Sequence, residues 1–197
     1  MIRLCAIAVL LAGWAGAGWC DEAPVAAEPL NLAENPGFEE RMSGAIHLPA
    51  RWDPFSVGDK VMVALVTEPK RSGERAIRVG AVGRKNGYGG VVQILPVDPK
   101  KRYTFRVQAL NNESEPMAGG SEVLLIIEWR NEAGVEISRS VLRPIGSGLS
   151  RKQWKELELS AHPPRQAVRG KFVVQLREDK QPGEGSVFFD DVEIIER

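Results

Sequence analysis

The sequence predicts an all-β fold of the sandwich or barrel type. Short runs rich in β-branched and aromatic residues recur along most of the chain. Clusters of glycine, proline and asparagine separate these runs, and no window shows the 3.6-residue apolar period of an amphipathic helix. Regularly spaced short strands without intervening helices are typical of two packed sheets or a closed barrel.

Strands are expected throughout the chain after residue 60. They cover residues 61–67, 75–82, 90–95, 101–110, 121–130, 135–142, 153–160, 168–177 and 186–195. The segments between them, such as 83–87 (GRKNG) and 131–134 (NEAG), have the composition of turns. The 52–60 segment is interpreted as a loop.

Alternation within three strands predicts which side chains face the core. One face of each strand is wholly apolar: Tyr103, Phe105, Val107 and Ala109; Val123, Leu125, Ile127 and Trp129; Phe172, Val174 and Leu176. The opposite faces change from apolar to polar along their length. The sequence therefore predicts a polar platform beside an apolar strip, formed by Arg106, Gln108, Glu128, Arg130, Gln175 and Arg177.

The first 20 residues have the pattern of a secretory signal peptide. Arg3 precedes an uncharged apolar run from Leu4 to Trp14, and small residues follow. The run is too short to span a bilayer comfortably. A lipid anchor at Cys20 is an alternative that the bulky Trp19 disfavours. We expect a secreted or periplasmic protein with a short Ala/Pro-rich tether at 21–30 and one domain at 31–197.

Composition excludes several classes of function. The 26 basic residues balance 26 acidic ones, which gives no support to nucleic-acid binding. Both cysteines, Cys5 and Cys20, lie near the N-terminus, so a disulfide-stapled core and a cysteine-based zinc site are excluded. No G-x-S-x-G, H-E-x-x-H, P-loop or G-x-G-x-x-G motif is present.

The segment 31–39 (NLAENPGFE) resembles the opening motif of the family 4/9 type carbohydrate-binding modules. Further matching segments follow in the order of that family: Trp52, 72–79 (SGERAIRV), 92–93 (VQ), 99–105 (PKKRYTF), Trp154 and 188–194 (FFDDVEI). Lys100 stands where that family usually has glycine in a turn. The resemblance spans 31–196 and implies a galactose-binding-like jelly-roll β-sandwich that binds sugar without catalysis, as an accessory to a glycoside hydrolase.

Two alternatives remain beside this interpretation. The chain could be an extracellular structural or protein-interaction sandwich that has lost sugar binding, or a glycoside hydrolase, which would need two carboxylates flanking the scissile bond. Exposed aromatic rings would favour sugar binding. Tyr88, in a Gly-rich turn, is the best candidate for a stacking ring, and Phe55 is the next.

The polar platform is the predicted ligand face, with Tyr88 stacking at its rim. Its three arginines, against the single carboxylate of Glu128, favour a glycan that bears carboxylate or sulfate groups. The alternative is that Glu128 pairs across the strands with Arg106 or Arg177, which would leave a solvated salt-bridge lattice.

A structural calcium ion is expected near the last strand. Asp190 shares parity with Phe188, Val192 and Ile194, and an inward carboxylate is costly unless it is neutralised or well hydrogen-bonded. The family resemblance puts a calcium ion between Glu39 and Asp190. The alternative is that Asp190 accepts backbone N–H bonds or pairs with an arginine.

Overall fold

The structure is a computed structural model that describes residues 29–57 and 62–197. The predicted signal peptide, most of the predicted tether and Val61 lie outside the described residues. Within them, no helix is long and apolar enough to cross a membrane.

The described residues form two five-stranded antiparallel sheets and a small hairpin, as predicted for an all-β sandwich. The front sheet has the order β3-β6-β11-β8-β9, the back sheet β10-β7-β12-β5-β4, and β1 pairs with β2. The strands are β1 (Arg41–Met42), β2 (Ala45–Pro49), β3 (Asp53–Ser56), β4 (Val63–Val66), β5 (Ala76–Gly80), β6 (Tyr88–Pro96), β7 (Tyr103–Asn111), β8 (Ala118–Arg130), β9 (Glu136–Val141), β10 (Lys155–Ala161), β11 (Arg169–Glu184) and β12 (Ser186–Glu196).

The core lies between the two sheets, on the faces that alternation predicted. All predicted inward residues of β7, β8 and β11 are buried. Aromatic rings cross the interface: Phe105 of the back sheet meets Phe172 of the front sheet with ring centroids 5.4 Å apart in an edge-to-face arrangement. The apolar faces therefore pack against each other as in other sandwiches, and the outer faces of both sheets are turned toward solvent.

Each predicted strand overlaps an observed one, but three strands were missed. β1 and β2 form a short hairpin, and β3 begins with Asp53-Pro54, a pair that disfavours a central strand. β3 pairs with β6 at the edge of the front sheet, where proline is tolerated. The prediction of a loop at 52–60 was therefore wrong at Phe55, which lies on β3. The placement of Tyr88 in a turn was also wrong, because it begins β6.

The parity argument for Asp190 fails at a bulge in β12. Val187 and Phe189 belong to the core, as do Val192 and Ile194, because the register of β12 against β7 shifts between Asp190 and Glu193. Phe188, opposite Leu110, is on the other face. Asp190 is nevertheless fully buried, because the Arg71–Ser72 backbone covers it.

Candidate binding groove on the front sheet

The predicted ligand face is divided between two sheets, so the prediction of one continuous platform was wrong. Arg106 and Gln108 lie on β7 in the back sheet, whereas the other four platform residues lie on β8 and β11 in the front sheet. Outward parity placed each residue on an outer face, but the two outer faces point away from each other. The front face carries the candidate site.

The outer face of the front sheet holds a groove of about 670 Å³. Its lining comes from all five strands: Phe55, Ser56, Tyr88, Leu124, Ile126, Glu128, Arg139, Val141, Lys171, Val173, Gln175 and Arg177. Cross-strand register orders these residues in rows that lie two residues, roughly 7 Å, apart along the strands. The rows differ in chemistry, so the groove has a defined floor and two defined ends.

The floor of the groove is aliphatic. Val173 pairs with Val92 on one side and Ile126 on the other, and Leu124 lies in the neighbouring row. These four side chains form a second hydrophobic cluster outside the main core, with Phe55 packed against it. Their exposure is only 2–6% although they face away from the core. The outer face of an antiparallel sheet usually carries polar residues, so an aliphatic cluster on this face departs from the usual pattern.

An aromatic wall stands on the β3–β6 side of the floor. The Phe55 and Tyr88 rings are tilted by 47° with centroids 6.2 Å apart, and Tyr88 is 41% exposed. Lys171 Nζ lies 5.8 Å from the centre of the Phe55 ring, a cation–π distance. Tyr88 thus lines the groove with an exposed ring, and Phe55 lies beside it on the edge strand; stacking of Tyr88 on a ligand stays a prediction.

Gly90 opens the floor next to this wall. It pairs with Phe55 on β3 and Gln175 on β11. A Cβ atom at Gly90 would lie 2.0 Å from the Val174 carbonyl oxygen, so any other residue would force the two strands apart. Glycine at this position allows close strand packing and leaves Gln175 accessible beside the aromatic wall.

One end of the groove is charged and rich in cations. Lys171 and Arg139 flank Glu128 as its cross-strand partners. Glu128 accepts a hydrogen bond of 2.7 Å from Arg130 and lies 3.4 Å from Lys171 Nζ. The alternative partners expected for Glu128, Arg106 and Arg177, were therefore wrong, although the carboxylate is indeed engaged in ion pairs.

Arg139 completes this end from β9. It makes two parallel hydrogen bonds of 2.6 and 2.8 Å to Glu136, and this donation lowers the pKa of the Glu136 carboxyl. At the opposite end, Arg177 Nη2 donates to Glu122 at 2.8 Å in the row that contains Tyr88. Each end of the aliphatic floor thus carries guanidinium groups.

A buried carboxylate fixes the turn that precedes Tyr88. Glu178, 1% exposed, accepts backbone N–H groups from Val82 and Gly83 on Oε1 and from Arg84 and Gly183 on Oε2. Four donors satisfy both oxygens, so the buried charge is stabilised without a cation. These bonds hold the 82–87 segment against β11 and so fix the position of Tyr88, the next residue, beside the groove.

The outer face of the back sheet has the opposite charge. Arg106 lies 2.7 Å from Glu158, 3.2 Å from Glu193 and 3.9 Å from Glu156. Its donated hydrogen bond lowers the pKa of the Glu158 carboxyl. Gln108 is buried and donates to Glu156. Both predicted contact residues therefore interact with carboxylates on the back sheet, away from the groove.

Both predicted calcium ligands, Glu39 and Asp190, lie near Gly37. A Cβ built on Gly37 would lie 3.6 Å from Glu39 Oε1 and 3.9 Å from Asp190 Oδ1. Asp190 accepts the backbone N–H groups of Arg71, Ser72 and Asp191. Such backbone N–H bonds were expected for Asp190 as the alternative to a calcium ion. Burial nevertheless raises the pKa of the Asp190 carboxyl, against the opposing effect of its N–H donors.

The donor types fit calcium, but the set of acidic ligands is small. Glu39 Oε1 accepts the N–H groups of Glu74 and Arg75, and its other oxygen lies 3.6 Å from the Arg75 guanidinium. No group of three acidic, histidine or cysteine side chains that could hold a metal occurs in residues 29–57 and 62–197. Backbone carbonyls would have to complete a shell of six to eight oxygens. The calcium ion stays a prediction.

Sequence reasoning missed Lys171 and Arg139, which line the groove. Lys171 has the same parity as Val173, Gln175 and Arg177, so extending the alternation by two residues would have found it. Arg139 lies on β9, which pairs with β8 across the short turn after Arg130; it was missed because the alternation was applied to three other strands and not to this one. The aliphatic floor did carry a signal, since the apolar strip was recognised in the sequence.

No protein-family model matches the chain, and no curated protein matches it. Among solved structures, a family 61 carbohydrate-binding module in complex with β-1,4-galactotriose superposes with a TM-score of 0.56 at 17% identity, over 85% of this chain and 99% of that one. The family 22 xylan-binding domain of Paenibacillus barcinonensis Xyn10C has a TM-score of 0.56 at 14% identity, over 81% and 90%.

A larger protein contains the same fold as one part. The enzymatically active domain of bacteriophage CBA120 tailspike protein 4 gives a TM-score of 0.61 at 13% identity over 85% of this chain, which spans 21% of that structure. At these identities the likeness shows the fold. The chain is a β-sandwich of the kind found in carbohydrate-binding modules, and the likeness is not specific to family 4/9.

Proposed function

We propose that this protein is a non-catalytic carbohydrate-binding module that holds an oligo- or polysaccharide in the front-sheet groove. The observation that carries the proposal is the aliphatic floor on the outer face of the front sheet, bounded by the Phe55–Tyr88 wall. Ligand sites are typically concave and mostly apolar, with a few placed polar groups. The family 4/9 resemblance and the carbohydrate-binding modules of similar fold support the same reading.

Sugars match this lining in both of their chemical characters. A pyranose ring has an apolar C–H face that packs on aromatic and aliphatic groups, which the wall and floor supply. Its hydroxyls donate and accept hydrogen bonds, and the Gln175 amide and Arg177 guanidinium lie in rows next to the floor. A chain of sugars lying across these rows would contact both kinds of surface.

The groove offers little support for hydrolysis. Glycosidases act with two carboxylates on either side of the scissile bond. Among the residues that line the groove, Glu128 is the single carboxylate, and it is engaged by Arg130 and Lys171. We infer a binding role within one domain of residues 31–197, exported by the N-terminal signal peptide, with a carbohydrate-active enzyme or a cell-surface complex as its partner.

The proposal is tested by affinity electrophoresis and titration calorimetry against a panel of neutral and acidic polysaccharides. We expect at least one polysaccharide to retard the protein, and the Tyr88→Ala and Gln175→Ala variants to weaken binding about fivefold each, because an aromatic stacking contact and a hydrogen bond each contribute roughly 1 kcal/mol.

Gln108→Ala is the matched control for Gln175→Ala, because it removes the same amide from the back sheet. Equal loss in both glutamine variants would place the site outside the groove. A wild-type protein that no polysaccharide retards would refute sugar binding, and the protein-interaction sandwich would then be the better reading.

A further inference from the structure

We propose that the groove selects anionic glycans, and that a sugar carboxylate or sulfate binds at the charged end beside Lys171 and Arg139. This inference rests on the proposed function, because it assumes that a glycan lies in the groove. It specifies that the bound sugar is acidic and that Lys171 and Arg139, which were not predicted from the sequence, make it preferred.

Cations outnumber carboxylates at this end. The cluster contains Arg130, Arg139 and Lys171 against Glu128 and Glu136, joined by ion pairs of 2.6–3.4 Å. One positive charge therefore remains after every carboxylate of the cluster has been counted. Of the charged residues that line the groove itself, Arg139, Lys171 and Arg177 are positive and Glu128 alone is negative.

Arg139 is the most accessible charged group of this cluster. Its side chain is 52% exposed, against 28% for Glu136 and 13% for Glu128, which is held from two sides. A ligand that enters the groove therefore reaches the Arg139 guanidinium more easily than it reaches either carboxylate. Lys171 has three N–H donors, and a second acceptor could be bound without breaking its contact with Glu128.

Two guanidinium groups near the groove each have one N–H donor that makes no hydrogen bond to another described residue. Arg130 and Arg177 each have a buried Nε–H with no hydrogen-bond acceptor within the part of the chain that the structure describes. The preferred occupant of such a site is a planar or tetrahedral oxyanion, which guanidinium groups bind with charge-assisted hydrogen bonds.

The positive charge of the groove is a local feature, because the net charge of the whole chain is zero. The sequence has 26 basic and 26 acidic residues, so the protein has no general attraction for polyanions. On the outer face of the back sheet, Arg106 lies among three carboxylates, and Arg78 is paired with Glu115. A polyanion is therefore repelled from one outer face and attracted to the other, which directs an acidic chain to the groove.

The test compares one polysaccharide backbone with and without its charge. Polygalacturonate and glucuronoxylan are titrated by calorimetry beside their carboxyl-reduced forms, in which each carboxylate is replaced by a neutral hydroxymethyl group. Sulfated galactan and its desulfated form make the same comparison for sulfate. We expect an acidic form to bind at least tenfold more tightly than its neutral counterpart, and this difference to shrink as salt is raised from about 20 to 500 mM.

The variants Lys171→Met and Arg139→Gln locate the effect. Each keeps most of the side-chain length while removing the charge, and each is expected to lower affinity for the acidic form about tenfold, several times more than it lowers affinity for the neutral form. Arg106→Gln, the same change as in Arg139 but on the back sheet, is the matched control and is expected to leave both affinities unchanged. Thermal melting of each variant verifies that it is folded.

The outcomes separate this inference from the proposed function. Groove-dependent binding of neutral and acidic forms with equal affinity would overturn the charge selection and keep the sugar-binding module. Loss of acidic binding in Arg106→Gln equal to that in Arg139→Gln would also overturn it. If neither neutral nor acidic polysaccharide binds, the proposed function itself fails.

Discussion

Replacing Glu178 by glutamine removes one of the two oxygens that hold the 82–87 segment. Oε1 accepts the Val82 and Gly83 N–H groups, and Oε2 accepts those of Arg84 and Gly183. The amide of glutamine presents one oxygen and one NH₂ group. Two of the four backbone donors would therefore face a donor instead of an acceptor.

The magnitude follows from that count. An unsatisfied buried donor costs about 1–3 kcal/mol, so Glu178→Gln is expected to lower the free energy of unfolding by about 2–6 kcal/mol. A domain of this size has roughly 5–15 kcal/mol of stability in total. With an m-value of about 2 kcal/mol/M, the urea midpoint would fall by about 1–3 M with no change in slope.

Equilibrium urea unfolding followed by tryptophan fluorescence measures this shift. Glu184→Gln is the control, because Glu184 lies on the same strand with an exposed side chain and should change stability by less than about 0.5 kcal/mol. A Glu178→Gln protein as stable as this control would show that the four N–H groups do not depend on the carboxylate. The reasoning about the turn that positions Tyr88 would then be refuted.

Three further predictions concern other parts of the fold. Millimolar calcium should raise the melting temperature relative to excess chelator, and Glu39→Gln or Asp190→Asn should abolish the difference; an unchanged wild-type melting temperature would disprove the calcium site. Burial raises the pKa of Tyr103 above its ordinary 10.0. The stabilisation by the neutral Tyr103 phenol is therefore fully present below pH 10 and is lost as the pH rises through the pKa of the folded protein. Tyr103→Phe should flatten the fall in unfolding free energy between pH 9.5 and 11, and an equally steep fall in the variant would count against this. Gly90→Ala should destabilise by about 1–3 kcal/mol in urea unfolding, since its Cβ would lie 2.0 Å from a backbone oxygen; Gly148→Ala, whose Cβ meets nothing within 4 Å, is the control, and equal stability of the two variants would contradict the close strand packing.

Local pattern was sufficient for the strands and for the faces that they bury. Val107, Leu125 and Val174 are fully buried where alternation placed them, because the two-residue period of a strand is a property of the backbone itself. The strands that were missed are short or contain proline. Their pairing partners stabilise them more than their own composition does.

Local pattern was not sufficient where the period is interrupted. The bulge in β12 after Asp190 adds a residue that the alternation cannot show, so the inward face was misassigned over Phe188 and Asp190. Asp190 is buried all the same, since a loop far away in the sequence folds over it and donates two backbone N–H groups.

The sequence by itself determined the all-β class and the two faces of the main strands. Only the tertiary structure decided which outward residues share a surface. Arg106 and Arg177 have the same outward parity in their own strands, but one faces three carboxylates on the back sheet and the other lines the groove. Alternation along a single strand decides which face of its sheet a side chain lies on. Which sheet the strand belongs to depends on hydrogen bonds with strands distant in sequence, and no local pattern contains that pairing.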